Sequence, residues 1–338
     1  MIESLIPFEP VFWAKDKHSQ TILGDLLPSP KIKELGDRLL IQLDDGDQLL
    51  CRLHRGKSET IILLCHGLTG SSDAGYIQRL ANYFYEDGHT VCRMNHRNCG
   101  ESLGLAKNPY HSGRSDDIAR ITFDLRQLFP KKKIICIGFS MSGNASLLLG
   151  AGVIPTQGIF SRSQFQQLNT FNRWSTPDAI LTINPPGDLA KSSDRFLRNI
   201  NRLYQWNFIR GFQKLISELK GRELLEGDYD THALMSIRNF DELYTSQRSG
   251  FVDAADYYEK CSSIRYLQQI DVPTYILASE DDPIIDFTDL AQAPKSDFVK
   301  IIPTKYGGHM GFIAKTKTPR GGFRWMDYAV LEIAQHLI

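Results

Sequence analysis

The chain has 338 residues, 42% hydrophobic and 23% charged, and its 39 basic and 39 acidic side chains cancel. That is the composition of a globular protein, and a neutral chain whose longest basic run is Lys131–Lys133 carries no electrostatic footprint for nucleic acid. No apolar run approaches the roughly 18 residues of a membrane span, and the first residues, with an early acid at Glu3, do not read as a secretion signal.

Leu39–Leu43 and Leu49–Leu53 flank the acidic turn Asp44–Asp47 and predict an antiparallel hairpin. Ile61–Cys65, Thr90–Met94 and Lys133–Ile137 are short, continuously apolar runs. Amphipathic stretches accompany them at Tyr76–Tyr85, Asp116–Leu128 and Ala145–Gly150. Such alternation predicts a mostly parallel sheet buried on both faces by helices. Ser115, ahead of Asp116 and Asp117, is a candidate helix N-cap. Residues 155–177 are polar and read as a long surface loop. Ala179–Ile183 resumes the strand pattern and ends at Asn184-Pro185-Pro186. Residues 187–262 are helix-like and aromatic, and predict a cap-like insertion over one edge. Strands return at Thr274–Ala278 and Phe298–Ile302, and Trp325–Leu337 closes the chain as a helix. The expectation is a single α/β domain over 1–338 with a helical insertion at 187–262. The six cysteines (Cys51, Cys65, Cys92, Cys99, Cys136 and Cys261) form no C-x-x-C pair. They read as buried free thiols of a cytoplasmic protein.

Gly-x-Ser occurs five times, starting at Gly56, Gly70, Gly100, Gly113 and Gly138. Gly138 alone directly follows a buried strand and opens onto a helix-compatible stretch. A nucleophile elbow needs that context, because a sharp strand-to-helix turn exposes the serine hydroxyl. Positions two before and two after the serine must be small, since the backbones approach closely there. Gly138 meets this; Ser142 is small, but larger than the usual glycine. Ser140 is therefore the candidate nucleophile, and a structural β–α turn is the alternative.

A serine hydroxyl needs a base to take its proton. Downstream lie His232, His309 and His336. His336 falls on the last helix and His232 in the insertion, whereas His309 sits in "KYGGHMGF" just past the last strand. The acid that orients it should follow the preceding strand, where Glu280, Asp281 and Asp282 stand. Counting from Ser279 selects Asp282, and counting from Ala278 selects Asp281. Pro283, which fixes the turn, favours Asp282. Backbone N–H groups must also receive the oxyanion. Met141 follows the nucleophile, and Leu68 in "CHGLTGSS" is placed to supply the second. His66 reads as a buried histidine bonded to backbone. Neither His66 with Cys65 nor Cys92 with His96 and Cys99 has a strong zinc spacing, so no metal is expected. Gly56-Lys57-Ser58 lacks the upstream glycine of a phosphate-binding loop.

Taken together, these segments resemble the α/β-hydrolase superfamily and, within it, the YheT-like esterase/lipase branch. The resemblance runs over nearly the whole chain. "KHSQTI" (Lys17–Ile22) is similar to the branch's N-terminal motif, and "CHGLTGSS" to its oxyanion loop. "NHRNCGES" (Asn95–Ser102) and "YHSGRSDD" (Tyr110–Asp117) resemble the loop after its fourth strand. "GFSMSGN" resembles its elbow, with Ser142 in place of a glycine. "DDP" and "GGHMGF" resemble its acid and histidine motifs. The resemblance implies an α/β-hydrolase fold, a Ser140–Asp282–His309 triad, and hydrolysis of small-molecule acyl esters without a cofactor. An acyltransferase on the same triad, or a non-catalytic binding protein on the same scaffold, is the rival expectation.

Overall fold

The computed structural model describes residues 5–155, 158–159, 175–198, 200–225, 227, 229–230 and 233–338, with backbone alone at 158–159. Strands β1 (Asp37–Gln42), β2 (Gln48–His54), β3 (Thr60–Cys65), β4 (Thr90–Arg93) and β5 (Lys133–Phe139) form the first part of one sheet. β6 (Val153–Ile154) and β7 (Gly158–Ile159) pair as a separate small hairpin. β8 (Ala179–Ile183), β9 (Thr274–Ser279) and β10 (Val299–Thr304) complete the main sheet, whose order is β1-β2-β4-β3-β5-β8-β9-β10. β1 and β2 pair antiparallel, as do β2 and β4, and the remaining neighbours are parallel.

Helices α1 (Lys17–Leu26), α2 (Gly75–Glu86), α3 (Ser115–Leu128) and α4 (Met141–Gly150) belong to the first half. α5 (Leu189–Phe196), α6 (Asn201–Gly221) and α7 (Ala254–Cys261) lie between β8 and β9. Between α6 and α7, Ile237–Phe240 runs through a π-helical turn at Asp241–Thr245. α8 (Phe287–Gln292) and α9 (Trp325–Leu337) follow.

The sheet is covered on both sides. Ile62, Leu64 and Ile135 pack with Leu80 and Phe84 of α2 and Val330 of α9. Ile61, Leu63 and Ile134 pack with Ile118 and Leu125 of α3 and Ala145 of α4. Every residue of β3 is buried, which is why its sequence lacks the polar alternation of a half-exposed strand. All ten residues of α4 are buried too, so the amphipathic character expected over Ala145–Gly150 is not found: with both sides covered, the helix needs no polar face.

Arg97, from "NHRNCGES", is 1% exposed and anchors the acidic turn after β1. Its guanidinium donates to Asp45 at 2.5 Å, Asp47 at 2.7 Å and Asp117 at 2.6 Å. Burial is the largest single influence and lowers its pKa, but the attraction and hydrogen bonds of Asp117 together with the charges of Asp116 and Asp45 outweigh it and raise it. A buried cation so paired is costly to orphan, by about 3–5 kcal/mol.

Two local expectations need correction. Ser115 is the first residue of α3 and not its cap, because its fully buried hydroxyl donates to Val153 O at 2.6 Å. Most of the 155–177 stretch lies outside the described residues, but its end is not a surface loop. Ser175 and Thr176 are buried, and Arg126 donates to the Ser175 hydroxyl at 2.9 Å and the Thr176 carbonyl at 2.9 Å.

Candidate active site

Ser140 lies between β5 and α4 with φ +49° and ψ −114°, a conformation that a side chain adopts only under tight local constraint. The turn is possible because the flanking positions are glycines. A Cβ at Gly138 would stand 2.6 Å from Ser142 O, and one at Gly143 would stand 3.1 Å from Pro185 Cβ. The late glycine thus faces the end of β8, while Gly138 meets the first turn of α4.

Ser142 itself does not fill that crossing. Its side chain is fully buried and turns toward the loops after β3 and β4. The hydroxyl donates to His66 O and lies 2.6 Å from His96 Nε2. His96 N–H donates to His66 Nε2 at 3.2 Å, so the proton of His66 sits on Nδ1 and reaches Gly67 O at 2.8 Å. Burial pushes His66 well below the ordinary imidazole range and His96 down to about 4. Both rings therefore act as neutral braces of the loop. Within the loop, Gly67 N–H donates to Tyr76 OH at 2.9 Å and Thr69 N–H to Tyr110 OH at 3.2 Å. Leu68 N–H, between them, has no acceptor among the described residues. Met141 N–H, at the start of α4, is likewise free of the helix ladder.

His309 follows β10 and points back at the elbow. Its Nε2 lies 3.0 Å from Ser140 Oγ and its Nδ1 2.8 Å from Asp282 Oδ2. Asp282 is buried just past β9 and accepts from Ile284 N–H at 2.7 Å and Ile285 N–H at 3.0 Å. Burial raises its pKa, but the attraction of His309 and the hydrogen bonds together bring it below the usual carboxylate value. Asp281 turns the other way, and its Oδ1 accepts Gly308 N–H at 2.9 Å. Glu280 is exposed, as is His336, and His232 lies outside the described residues.

Two features of the site went unread in the sequence. Asn184, buried at the end of β8 with φ +46°, donates to Asp282 Oδ2 at 2.5 Å and to Gly308 O at 3.2 Å. Its position directly before Pro185-Pro186 at a strand end was the available signal. The second is the half-open cleft over Ser140 and His309, about 550 Å³ with the adjoining solvent space counted. Leu68, Leu189, Phe196, Phe208, Ile284 and Ile285 make most of its wall apolar. The π-helical turn places Asp241 on the same wall, where Tyr258 OH donates to its Oδ2 at 2.8 Å. Burial pushes the Asp241 carboxyl up to about 7. Among the described residues, no cluster of His, Cys, Asp or Glu is arranged to hold a metal, and no helix is long and apolar enough to cross a membrane.

The sequence profile of the α/β hydrolase fold family matches residues 60–316. The chain belongs to the α/β-hydrolase fold family. It resembles that family's YheT-like branch: it is 28% identical over 267 residues to the protein named "Putative esterase YheT" of Escherichia coli K12, covering 75% of this chain and 71% of that one. It is 25% identical over 289 residues to a monoacylglycerol lipase of Saccharomyces cerevisiae, covering 81% of this chain and 58% of the yeast protein. Monoacylglycerol lipase ABHD2 of Homo sapiens is 23% identical over 353 residues, 96% of this chain and 78% of its own. Among solved α/β-hydrolase structures, the Pyrococcus furiosus esterase Pf2001 is similar in fold with a TM-score of 0.55 at 16% identity, covering 92% of this chain and 97% of that one.

Proposed function

We propose that this α/β-hydrolase is a serine carboxylesterase of apolar, lipid-like acyl esters, with Ser140 as nucleophile, His309 as base and Asp282 as its orienting acid. The observation that carries the reading is the continuous Ser140–His309–Asp282 hydrogen-bonded line, 3.0 Å and 2.8 Å long, on a serine held at φ +49°. The names of the esterase and monoacylglycerol lipase relatives support the same reaction class.

In the first half, Ser140 Oγ attacks the ester carbonyl carbon while its proton passes to His309 Nε2. Asp282 stabilises the resulting imidazolium through Nδ1–H. The N–H groups of Leu68 and Met141 receive the oxyanion, a contribution worth about 10²–10³ in rate per donor in other serine hydrolases. Collapse breaks the C–O bond, and the alcohol leaves with the proton from His309. In the second half, His309 takes a proton from water as it attacks the acyl carbon; the bond to Ser140 Oγ then breaks, His309 returns the proton to Ser140, and the carboxylic acid leaves. No cofactor enters these steps.

The apolar cleft wall supports an acyl chain or aromatic group as the bound portion. We place residues 187–262 as a cap over the site, because Leu189, Phe196, Phe208 and Tyr258 from that stretch all line the cleft. The six buried, unpaired cysteines support a reducing, cytoplasmic setting. Turnover of p-nitrophenyl esters of graded acyl length tests the reading. Hydrolysis that depends on Ser140 and changes with chain length supports it, and no hydrolysis across the series would sink it.

A further inference from the structure

The reaction leaves the N-terminal Lys17–Ile22 stretch without a part, yet this stretch is bonded to the segment that carries His309. Helix α1 lies against residues 307–313 with no room for side chains between them. A Cβ at Gly308 would stand 2.3 Å from Lys17 O, one at Gly311 2.1 Å from Gln20 O, and one at Gly24 2.7 Å from Gly311 Cα. The glycines around His309 thus serve a contact of backbone with backbone. The segment is also held in an unfavourable shape, with φ of 141° at Gly307, 58° at Gly308, 62° at Met310 and 46° at Phe312. Left-handed backbone is disfavoured for the last two residues, so the shape persists only with outside support.

Two side chains of α1 supply that support. Gln20 is fully buried; its Nε2 donates to Ala14 O at 2.6 Å and Ile313 O at 3.2 Å, and its Oε1 accepts Ile313 N–H at 2.7 Å. Thr21 Oγ1 accepts the backbone N–H of His309 itself at 2.8 Å, and donates to Lys17 O at 2.7 Å. On the same helix, His18 Nδ1 meets the Tyr204 hydroxyl of α6 at 3.0 Å. α1 therefore stands between the His309 segment and the helices that line the cleft.

We propose that Thr21 and Gln20 are positioning residues for His309, holding its imidazole in line between Ser140 and Asp282. The inference rests on the serine-hydrolase reading above. Neither residue lines the cleft, so Thr21 acts through the His309 backbone and Gln20 through Ile313, four residues further along the same segment, and not on substrate. Loss of the hold lengthens the contact between His309 and Ser140 and slows proton transfer, while substrate binding stays as it is.

Three variants of Thr21 test this. Thr21→Val keeps the branched shape and removes the acceptor. Thr21→Ala removes the acceptor in a residue that favours helix. Thr21→Ser keeps the acceptor. With p-nitrophenyl acetate, kcat falls about tenfold in the Val and Ala variants, with KM and Tm near wild type. Their rate of fluorophosphonate labelling falls in step. The Ser variant stays within about twofold of wild type. Wild-type kcat in the Ala variant, or a Ser variant as slow as Val, overturns the proposal. Ser140→Ala, assayed alongside, separates the two possible failures. If it is inactive while the Thr21 variants are unaffected, only the positioning role falls. If it is active, the serine reading falls and the positioning role with it.

Discussion

The hydroxyl of Ser142 donates to the carbonyl oxygen of His66 and so ties the helix after Ser140 to the loop after β3. From sequence alone, Ser142→Gly is expected to preserve or modestly raise activity, because the smaller residue eases a tight crossing. The structure reverses that expectation, since the close approaches fall on Gly138 and Gly143 and the serine side chain faces the other way.

The Gly and Ala variants of Ser142 should both lose stability, by about 1–2 kcal/mol, because a buried acceptor and a buried ring nitrogen lose a partner. Their kcat/KM should fall several-fold as Leu68 N–H loses its fixed place. Urea midpoints and kcat/KM for the two variants check this. A Gly variant as stable and as active as the wild type would show that the tie is idle.

The adjacent acids should separate cleanly. Asp282→Asn removes the charge that faces His309 Nδ1 and can leave the ring in the wrong tautomer, a loss near 10⁴-fold in a well-studied protease. Asp281→Asn keeps an oxygen able to accept Gly308 N–H, so it should cost only a few-fold. Comparing kcat/KM for the two variants decides the matter. If Asp281→Asn is the crippled one, the assignment of the acid is off by one residue.

Asp241 should give stability a pH dependence. Burial raises its folded pKa to about 7, against the hydrogen bonds from Tyr258 and Thr245. In the unfolded chain the carboxyl returns to about 4. Between these values the folded protein keeps a proton that the unfolded chain has released. The associated stability is full below about pH 4 and is lost as pH rises through 7. Asp241→Asn still accepts from Tyr258 and carries no charge, so it should gain on the wild type as pH rises from 5 to 8. The gain should be on the order of 3 kcal/mol at most. Urea titrations at the two pH values measure it. An equal difference at both would mean that Asp241 does not titrate in this range.

The parts of the site legible in the sequence are those that strand ends announce. Ser140 follows an apolar run at once, Asp282 and His309 lie a few residues past one, all three have small or turn-forming neighbours, and the structure brings them together. The sheet was readable for the same reason, because strands such as β3 and β9 are buried throughout and carry unbroken apolar runs. What escaped depends on partners distant in the chain. Ser142 meets His66 76 positions away, and Asn184 meets Asp282 98 positions away. Ser115 looked like a cap because its neighbours are acids, but its hydroxyl answers to Val153 in another element. Local pattern reports what the backbone needs at a turn, and it carries no trace of which distant carbonyl lies within reach of a hydroxyl.

The most direct test of the central claim is the site of modification by a fluorophosphonate, read by mass spectrometry alongside residual esterase activity. The account predicts one adduct, on the peptide that contains Ser140. It also predicts that activity falls in step with labelling, and that Ser140→Ala keeps its Tm while taking no label. An adduct on another serine, with Ser140→Ala still turning over esters at near wild-type rate, would contradict it.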